Sequence, residues 1–129
     1  MGWIRASLVV AVVAIAVPVF SAERWYAIDG DTIVAPDKTK VRVLGVDTPE
    51  LHPCRCEYEC RLGNLAKRRT QRALDEGPVL ISPFRPDRYG RMLARVFIGG
   101  RDLSLILIEE GLGRPYQGEQ RQSWCGGTQ

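Results

Sequence analysis

The sequence contains no internal repeat and no low-complexity block, and its charges are nearly balanced. Lys and Arg number 18 against 15 Asp and Glu, so the 129-residue chain has a formal net charge of +3. This small excess permits an anionic partner but excludes the strongly basic proteins that coat nucleic acid. With 45% hydrophobic and 26% charged residues, the composition is globular, which excludes general disorder and collagen-like repeats. The length suits one domain and leaves no room for a second catalytic domain.

The first part of the chain has little charge, and its hydrophobic run is short for a membrane-spanning helix. No acidic residue precedes Glu23, and the only charged side chain before it is Arg5. Residues 6–20 form an apolar run that would span about 22 Å as a helix, less than the ~30 Å hydrocarbon core of a bilayer. The run therefore fits the hydrophobic region of a signal peptide better than a spanning helix.

We predict that residues 1–22 are a signal peptide, cleaved after Ser21 or Ala22, and that residues 23–129 are the working domain. The alternative is an uncleaved membrane anchor formed by residues 6–20. Both interpretations place the domain on the far side of a membrane. We expect an exported protein that is periplasmic or secreted, with membrane anchoring as the alternative. We expect a monomer without a stable protein partner, which contacts the membrane only if the leader is retained.

The four cysteines fit an exported protein. Cys54, Cys56 and Cys60 form one cluster, and Cys125 lies near the other end of the domain. An even count in an exported chain predicts two disulfides, with three possible pairings. A four-thiolate zinc site is the alternative, although its usual two C-x-x-C pairs are absent. We expect Cys125 to tie the C-terminal tail to the segment 54–60.

Hydrophobic alternation and turn residues predict a small mixed domain. Strands are expected at residues 25–28, 32–35, 40–46, 79–82 and 92–98, and helices at 57–76 and 103–110. The tail from Pro115 is polar and would be loose without its tether. A helix between the third and fourth strands predicts an α+β, mainly β fold, namely a five-stranded OB-fold barrel with two or three helices. Such barrels commonly bind oligonucleotides or oligosaccharides.

One charged residue lies inside a predicted strand. Arg42 shares a strand face with apolar side chains, where a guanidinium needs an anionic partner or a bound ligand. Asp31, Asp47 and Glu50 lie at neighbouring strand ends and could supply that partner, as could a bound phosphate. The sequence therefore indicates a site around Arg42 at which the guanidinium meets carboxylates or a bound phosphate.

Four stretches of the domain resemble the staphylococcal nuclease (thermonuclease) family. They are residues 27–33 (AIDGDTI), 41–50 (VRVLGVDTPE), 87–91 (DRYGR) and 103–116 (LSLILIEEGLGRPY). The resemblance that they mark extends over nearly the whole domain after the leader. The resemblance implies an OB-fold barrel and calcium-dependent hydrolysis of phosphodiester bonds in DNA and RNA.

The resemblance also implies a metal site. Asp31 and Asp47 look like calcium-ligating carboxylates, and Thr48 looks like a ligand through its backbone carbonyl. This chemistry is consistent, because calcium is a hard cation that takes oxygen ligands.

Three further residues look catalytic by the same resemblance. Arg42 and Arg91 correspond to two phosphate-binding arginines, and Glu50 corresponds to the residue that activates or orients the attacking water. Two guanidinium groups can hold the charge that develops on phosphoryl oxygens, by bidentate hydrogen bonds. A carboxylate nearby can orient water for in-line attack.

Substrate contacts are implied for Arg88, Tyr89 and Tyr116. Arg88 stands where a basic residue would contact a terminal phosphate, and the two tyrosines resemble those of the substrate pocket. The lone histidine, His52, precedes Pro53 and has no counterpart in the family motif, so we interpret it as a surface loop residue.

Two other functions remain to be separated from a nuclease. A non-catalytic OB-fold module could bind nucleic acid or another polyanion, but it has no reason to keep Arg42, Glu50 and Arg91 together with both aspartates. A cell-envelope oligosaccharide binder would favour several exposed aromatics, and few candidates exist beyond Trp25 and Trp124. The motifs favour the enzyme.

Overall fold

A computed structural model of the protein describes residues 2–3 and 24–126. The predicted signal peptide at 1–22 therefore lies, apart from residues 2–3, outside the described residues, and so does its cleavage point. Neither helix within the described part of the chain combines the length and the apolar character needed to cross a bilayer.

Residues 24–126 form eight short strands and two helices. In chain order these are β1 (Tyr26–Ala27), β2 (Thr32–Val34), β3 (Lys40–Val43), β4 (Gly45–Asp47), α1 (Glu57–Glu76), β5 (Val79–Pro86), β6 (Met92–Ile98), β7 (Arg101–Asp102), α2 (Leu103–Glu109) and β8 (Arg114–Tyr116). The α+β, mainly β class and the helix after the third predicted strand are confirmed, with strands shorter and more numerous than predicted.

The strands form one large sheet and one small sheet. The large sheet has the order β1-β2-β3-β6-β5, with β7 paired to β6, and the small sheet pairs β4 with β8. All pairs are antiparallel except β3 and β6, which run parallel. Among the described residues no strand pair joins β1 to β5, so strand pairing gives an OB-like arrangement without a closed barrel.

The predicted strand 40–46 is divided into two at Gly45. This glycine has a φ of +91°, in the region that residues with a side chain rarely adopt. A Cβ atom there would also lie 3.0 Å from the hydroxyl oxygen of Ser104. The bend moves the chain from the large sheet to the small one, and it carries Asp47 into register with Arg114 on β8.

Strand β5 is longer than the predicted 79–82 and absorbs part of the predicted loop 85–91. It contains Pro83 and Pro86, and its register with β6 shifts between Pro83 and Arg85. Proline is tolerated because β5 lies at the edge of the sheet, where one side of its backbone has no ladder to complete. The aromatic ring of Phe84 is 68% exposed on this strand.

The helices begin and end where the sequence predicts, within one residue. Helix α1 spans Glu57–Glu76, ends before Gly77 and buries small side chains such as Ala66 and Ala73. Helix α2 is capped by Asp102, whose Oδ1 accepts a hydrogen bond of 2.9 Å from the backbone N–H of Ser104. Both helices pack on the sheets, so they fix the strand ends from which the charged loops project.

The core lies between the large sheet and the two helices. Its fully buried members are mainly β-branched and leucine side chains from both layers: Ile33, Val41, Val43, Val46, Val96, Leu103 and Leu107. Such a packed core makes the adjoining strand ends a rigid support for functional groups.

Candidate active site

The turn that carries Asp29 and Asp31 is fixed against helix α1. A Cβ atom on Gly30 would lie 2.8 Å from Ala66 Cβ and 2.8 Å from two side-chain atoms of Thr48. The hydroxyl of Thr70 donates a 2.7 Å hydrogen bond to the Gly30 carbonyl. The sequence predicts this glycine as a hairpin residue, but here it is needed because the backbone approaches the helix so closely.

Arg42 finds the anionic partners that the sequence predicts. Its Nη2 lies 3.2 Å from Asp31 Oδ2 and 3.8 Å from Asp47 Oδ1. Its Nη1 donates to the carbonyl oxygens of Val43 at 2.8 Å and Val46 at 3.0 Å. The guanidinium is buried, and charge contacts together with carbonyl hydrogen bonds offset the cost of removing it from water.

The three predicted metal ligands come together around this arginine. The backbone N–H of Thr48 donates a 2.8 Å hydrogen bond to Asp31 Oδ2. The N–H of Asp31 in turn donates to Asp29 Oδ1 at 3.2 Å. Asp31, Asp47 and Thr48 are all buried, although they come from two different loops of the chain.

The C-terminal tail places a second guanidinium at the same site. Arg121 Nε lies 2.6 Å from Asp47 Oδ1, and Arg121 Nη1 lies 3.4 Å from Glu50 Oε2. Arg121 Nη2 donates to the carbonyl oxygen of Thr48 at 3.4 Å. The indole N–H of Trp124 donates to Asp47 Oδ2 at 3.2 Å. The sequence does not predict Arg121 as a site residue.

Two disulfides hold the tail and the loop that follows Glu50. Cys54 pairs with Cys60, and Cys56 pairs with Cys125. This resolves the pairing that the sequence leaves open and confirms the expected tie between Cys125 and the 54–60 segment. No free cysteine remains in residues 24–126, so the zinc alternative is wrong.

Glu59 on helix α1 braces the same loop and is also missed by the sequence prediction. Its Oε1 accepts from the backbone N–H of Glu50 at 3.3 Å, and its Oε2 accepts from that of Arg55 at 2.7 Å. The signal for Arg121 is indirect, because it lies four residues before Cys125, whose expected bond leads back to the loop after Glu50. Glu59 has no comparable signal.

Burial and crowding of like charges shift the acidity of the site. Burial, followed by the charges of Asp31 and Glu50, raises the pKa of Asp29 from its ordinary 3.8 to about 7. Burial also raises the pKa of Asp47, and the charge of Asp31 adds to this although Arg121 opposes it. Burial alone would lower the pKa of Arg121, but the carboxylates of Asp47, Asp31 and Glu50 outweigh it, so the net shift is upward.

Arg91 and Arg88 lie in the turn between β5 and β6 rather than among the carboxylates. Arg91 Nε pairs with Asp87 Oδ2 at 2.8 Å, and within residues 24–126 no ion pair joins Arg91 to Glu50. The guanidinium carbons of Arg88 and Arg91 lie 4.9 and 5.6 Å from the centre of the exposed Tyr89 ring. This turn therefore forms a basic and aromatic surface.

Tyr116 joins the main site through strand β8. Its ring centre lies 5.8 Å from the guanidinium carbon of Arg42, and Tyr116 is paired with Gly45 in the small sheet. His52 is exposed, as predicted for a surface loop residue, and its Nε2 lies 3.4 Å from the Ile28 carbonyl oxygen.

The site suits a hard cation by its oxygen chemistry. Asp47 Oδ1 is buried and close to Arg121 Nε, yet no described donor is aligned to form a hydrogen bond with it. In the described part of the chain, no group of three or more His, Cys, Asp or Glu side chains is arranged to hold a metal. The predicted set is smaller than such a group, with two carboxylates and one backbone carbonyl. Its oxygen donors are those that calcium prefers.

Comparison with known proteins identifies the family. A family model described as a staphylococcal nuclease homologue matches residues 40–124. The chain belongs to the staphylococcal nuclease family. The match includes all the predicted catalytic, metal and substrate residues except Asp31, and it also includes Arg121.

Relatives within and near this nuclease family come from bacteria and an archaeon. The chain is 38% identical over 95 residues to endonuclease YncB of Bacillus subtilis, covering 68% of this chain and 44% of that protein. It is 38% identical over 93 residues to a thermonuclease of Staphylococcus intermedius, covering 67% and 54%. It is 33% identical over 106 residues to the uncharacterized protein MJ1439 of Methanocaldococcus jannaschii, covering 64% and 51%. The chain thus spans about half the length of these relatives.

Proposed function

We propose that the protein is a calcium-dependent nuclease that hydrolyses phosphodiester bonds of DNA, RNA or both with little sequence specificity. Family membership and the names of the related endonuclease and thermonuclease support this activity. The observation that carries the proposal is the meeting of Asp31, Asp47 and Thr48 around Arg42, beside Glu50. A catalytic site needs all five together, whereas a binding module needs only positive charge.

In this proposal Arg42 and Arg91 bind the phosphoryl oxygens. Arg42 enters the site on a rigid strand, and its Nη1 is already committed to two backbone carbonyls, so its fork is held in one orientation. Arg91 approaches from the β5–β6 turn, where Asp87 orients its Nε. Charge that develops on the phosphoryl oxygens would be stabilised by these preorganised donors.

Glu50 orients and deprotonates the water that attacks phosphorus. The water oxygen forms the new bond to phosphorus and gives a proton to the Glu50 carboxylate. The bond from phosphorus to the leaving oxygen breaks, and that oxygen takes up a proton from solvent. The carboxylate of Glu50 is half-buried, and its backbone is held by Glu59, so the position of the base is defined.

Calcium would be held by Asp31, Asp47 and the Thr48 carbonyl. When bound, it would supply positive charge that polarises the phosphate and lowers the pKa of coordinated water. The buried, poorly hydrogen-bonded Asp47 Oδ1 supports this set of ligands.

The substrate would be positioned mainly through its phosphates. Arg88 offers charge, Tyr116 offers a ring face beside Arg42, and Tyr89 offers one beside Arg88 and Arg91. Phosphate and stacking contacts do not read base edges, which accounts for low sequence specificity.

We also propose that the domain acts outside the cytoplasm, as a monomer. Two disulfides in so short a domain suit an oxidising compartment, and the predicted leader provides a route. Amino-terminal sequencing of the exported protein would give Ala22 or Glu23 as the first residue if the leader is cleaved. An intact amino terminus in the membrane fraction would instead support an anchor.

One assay tests the proposed activity. Purified protein is incubated with labelled single-stranded DNA or RNA, with calcium or with a chelator, and beside a folded Asp47→Asn variant. We expect cleavage that needs calcium and falls strongly in the variant. Binding without cleavage under every condition would support the alternative, a non-catalytic nucleic-acid or polyanion-binding module.

A further inference from the structure

We propose that Arg121 occupies the calcium site when calcium is absent, so that calcium must displace the C-terminal tail in order to bind. This inference rests on the proposed function, because it assigns the same ligands to calcium. It adds a role for a tail that the nuclease chemistry does not use.

The contacts of Arg121 coincide with the predicted cation site. Each of its three guanidinium nitrogens meets a different oxygen group: the Asp47 carboxylate, the Glu50 carboxylate and the Thr48 carbonyl. Two of these are predicted metal ligands, and the third is the predicted base. A cation bound to Asp47 Oδ1 and the Thr48 oxygen would lie beside the guanidinium that contacts the same two atoms, and the two positive charges would repel each other.

The charges of the site explain why a tail cation is attracted to it. Four carboxyl groups cluster there, and in the described residues the cations that contact them are Arg42 and Arg121. The four groups are Asp29, Asp31, Asp47 and Glu50. Removing Arg121 would leave the cluster more negative, which favours a divalent cation.

The tail is held loosely enough to leave. The Arg121 side chain is 41% exposed, and only its contact with Asp47 is shorter than 3.4 Å. Residues 117–123 are all exposed, so leaving uncovers little of the protein. Beyond Arg121 the tail contacts Arg114 of strand β8. The guanidinium carbon of Arg114 lies 3.6 Å from the Trp124 ring centre, and Arg114 donates hydrogen bonds to Gln122 and Ser123 in exposed positions.

The Cys56–Cys125 disulfide keeps the tail near the site. Cys56 lies six residues after Glu50 and Cys125 lies four after Arg121, so the guanidinium stays within reach of the carboxylates after it leaves. Tethering gives a group an effective concentration in the millimolar range for short links. The disulfide therefore favours return of the tail when calcium is removed.

The size of the expected effect depends on how the protein divides between two states, one with Arg121 in the site (closed) and one with the tail released (open). Calcium binds only the fraction of molecules in which the tail has left, and its apparent Kd is the intrinsic Kd divided by that fraction. If the closed state is favoured by about ten to one, removing Arg121 lowers the apparent Kd about tenfold.

The main experiment measures calcium binding to the whole protein by titration calorimetry, without substrate. We compare the parent with Arg121→Gln and with Arg72→Gln, a matched control that removes one charge from an exposed position on helix α1. We expect Arg121→Gln to bind calcium about tenfold more tightly and Arg72→Gln to match the parent. An unchanged or weaker affinity in Arg121→Gln would overturn the inference.

A second readout follows the tail itself. The Trp124 indole is bonded to Asp47, so calcium should change its fluorescence as the tail leaves, and Trp124→Phe should lose that change. The Cys56→Ser/Cys125→Ser variant, if its melting curve shows a folded protein, should bind calcium more tightly than the parent. A calcium-saturated parent with unaltered Trp124 emission would contradict displacement.

The outcomes separate this inference from the proposed function. Calcium-dependent cleavage with equal affinities in the parent and Arg121→Gln overturns the inference alone. An unchanged Kd with a raised KM would make Arg121 a substrate-binding residue and also overturn it. Absence of both calcium binding and cleavage in the parent overturns the proposed function, and the inference with it.

Discussion

Arg42 Nη2 lies 3.2 Å from Asp31 Oδ2, and both side chains are more than nine-tenths buried. The pair follows from the register of β2 and β3, because Thr32 lies opposite Arg42 and Asp31 directly precedes Thr32. The same carboxylate oxygen accepts the Thr48 N–H. One oxygen atom, Asp31 Oδ2, therefore contacts both the Arg42 guanidinium on β3 and the backbone N–H of Thr48.

Arg42→Lys is expected to lose both activity and stability. Lysine keeps the charge but cannot contact Asp31 while bonding the carbonyls of Val43 and Val46. Turnover should fall by about 10²–10³, as for loss of a charge-assisted donor. The melting temperature should also fall, since a lost buried hydrogen bond costs about 1–3 kcal/mol.

Single-turnover cleavage of a labelled strand at saturating calcium measures the effect of Arg42→Lys. Arg72→Lys, on the exposed face of helix α1, is the matched control and should behave as the parent. A folded Arg42→Lys that cuts as fast as the parent would remove Arg42 from the catalytic site.

Glu50→Gln is expected to lower turnover while substrate binding persists. Glutamine keeps the size of the side chain but cannot take a proton from water, and general-base catalysis commonly contributes about 10²–10⁴ in rate. The Glu50 carboxylate is 30% exposed, so its loss should change the melting temperature little. Rates are compared with affinities from fluorescence anisotropy, and a fully active variant would mean that another group activates the water.

The two disulfides are expected to contribute unequally to stability. Cys54 and Cys60 are separated by 6 residues, and Cys56 and Cys125 by 69. Loop-closure entropy gives about 2 kcal/mol for the short loop and about 4 kcal/mol for the long one. Urea unfolding of the two paired Cys→Ser variants should show this order, and the reverse order would contradict the entropic explanation. Mass spectrometry under non-reducing conditions should find no free thiol among the four.

Gly30→Ala is expected to destabilise the protein by about 1–3 kcal/mol, the usual cost of overpacking. The new Cβ would lie 2.8 Å from both Ala66 Cβ and the Thr48 side chain, so the turn or the helix must move. Gly77→Ala is the control, because its Cβ would meet nothing closer than 3.4 Å and its backbone is extended. Denaturant unfolding of both variants is the test, and equal stabilities would show that the turn yields without cost.

Asp87→Asn is expected to make the protein less stable at neutral pH but not in acid. Burial raises the pKa of Asp87, but the hydrogen bonds from Arg91 and Tyr89 together lower it by more. The pKa of Asp87 therefore lies below its ordinary 3.8. A carboxyl group whose pKa is lower in the folded than in the unfolded state stabilises the folded protein at pH values above its unfolded-state pKa. That stabilisation is lost as the pH falls through the folded-state pKa. The difference in melting temperature between parent and variant should therefore be present at pH 7 and shrink below pH 3.8. A difference that persists unchanged at pH 2 would show that the charge of Asp87 is not its cause.

Local sequence signals predict the elements well where they depend on near neighbours. The bounds of α1 and the cap at Asp102 follow from helical spacing, Gly77-Pro78 and a side chain that reaches two residues on. The buried ion pair of Arg42 is predicted because a charged side chain lies on an otherwise apolar strand face and needs an anionic partner. These features need no knowledge of distant parts of the chain.

The features that the sequence does not predict depend on distant partners. Gly45 packs closely against Ser104 on helix α2, and Arg114–Tyr116 forms strand β8 by pairing with β4. Arg121 reaches the site in a tail that a disulfide spanning 69 residues ties to the segment 54–60. Neither secondary-structure propensity nor hydrophobic periodicity carries information about distant partners, so from sequence the tail is predicted to be a loose polar segment.

The edge strand β5 has a consequence for how molecules of this protein meet one another. It carries exposed Leu80 and Phe84, a combination that would otherwise invite a strand from a second molecule to extend the sheet. Pro83 and Pro86 have no N–H to offer such a strand, and the register shift beside them disturbs the regular spacing of hydrogen bonds. The two prolines therefore act against intermolecular sheet growth and aggregation at the edge of the large sheet that carries Leu80 and Phe84.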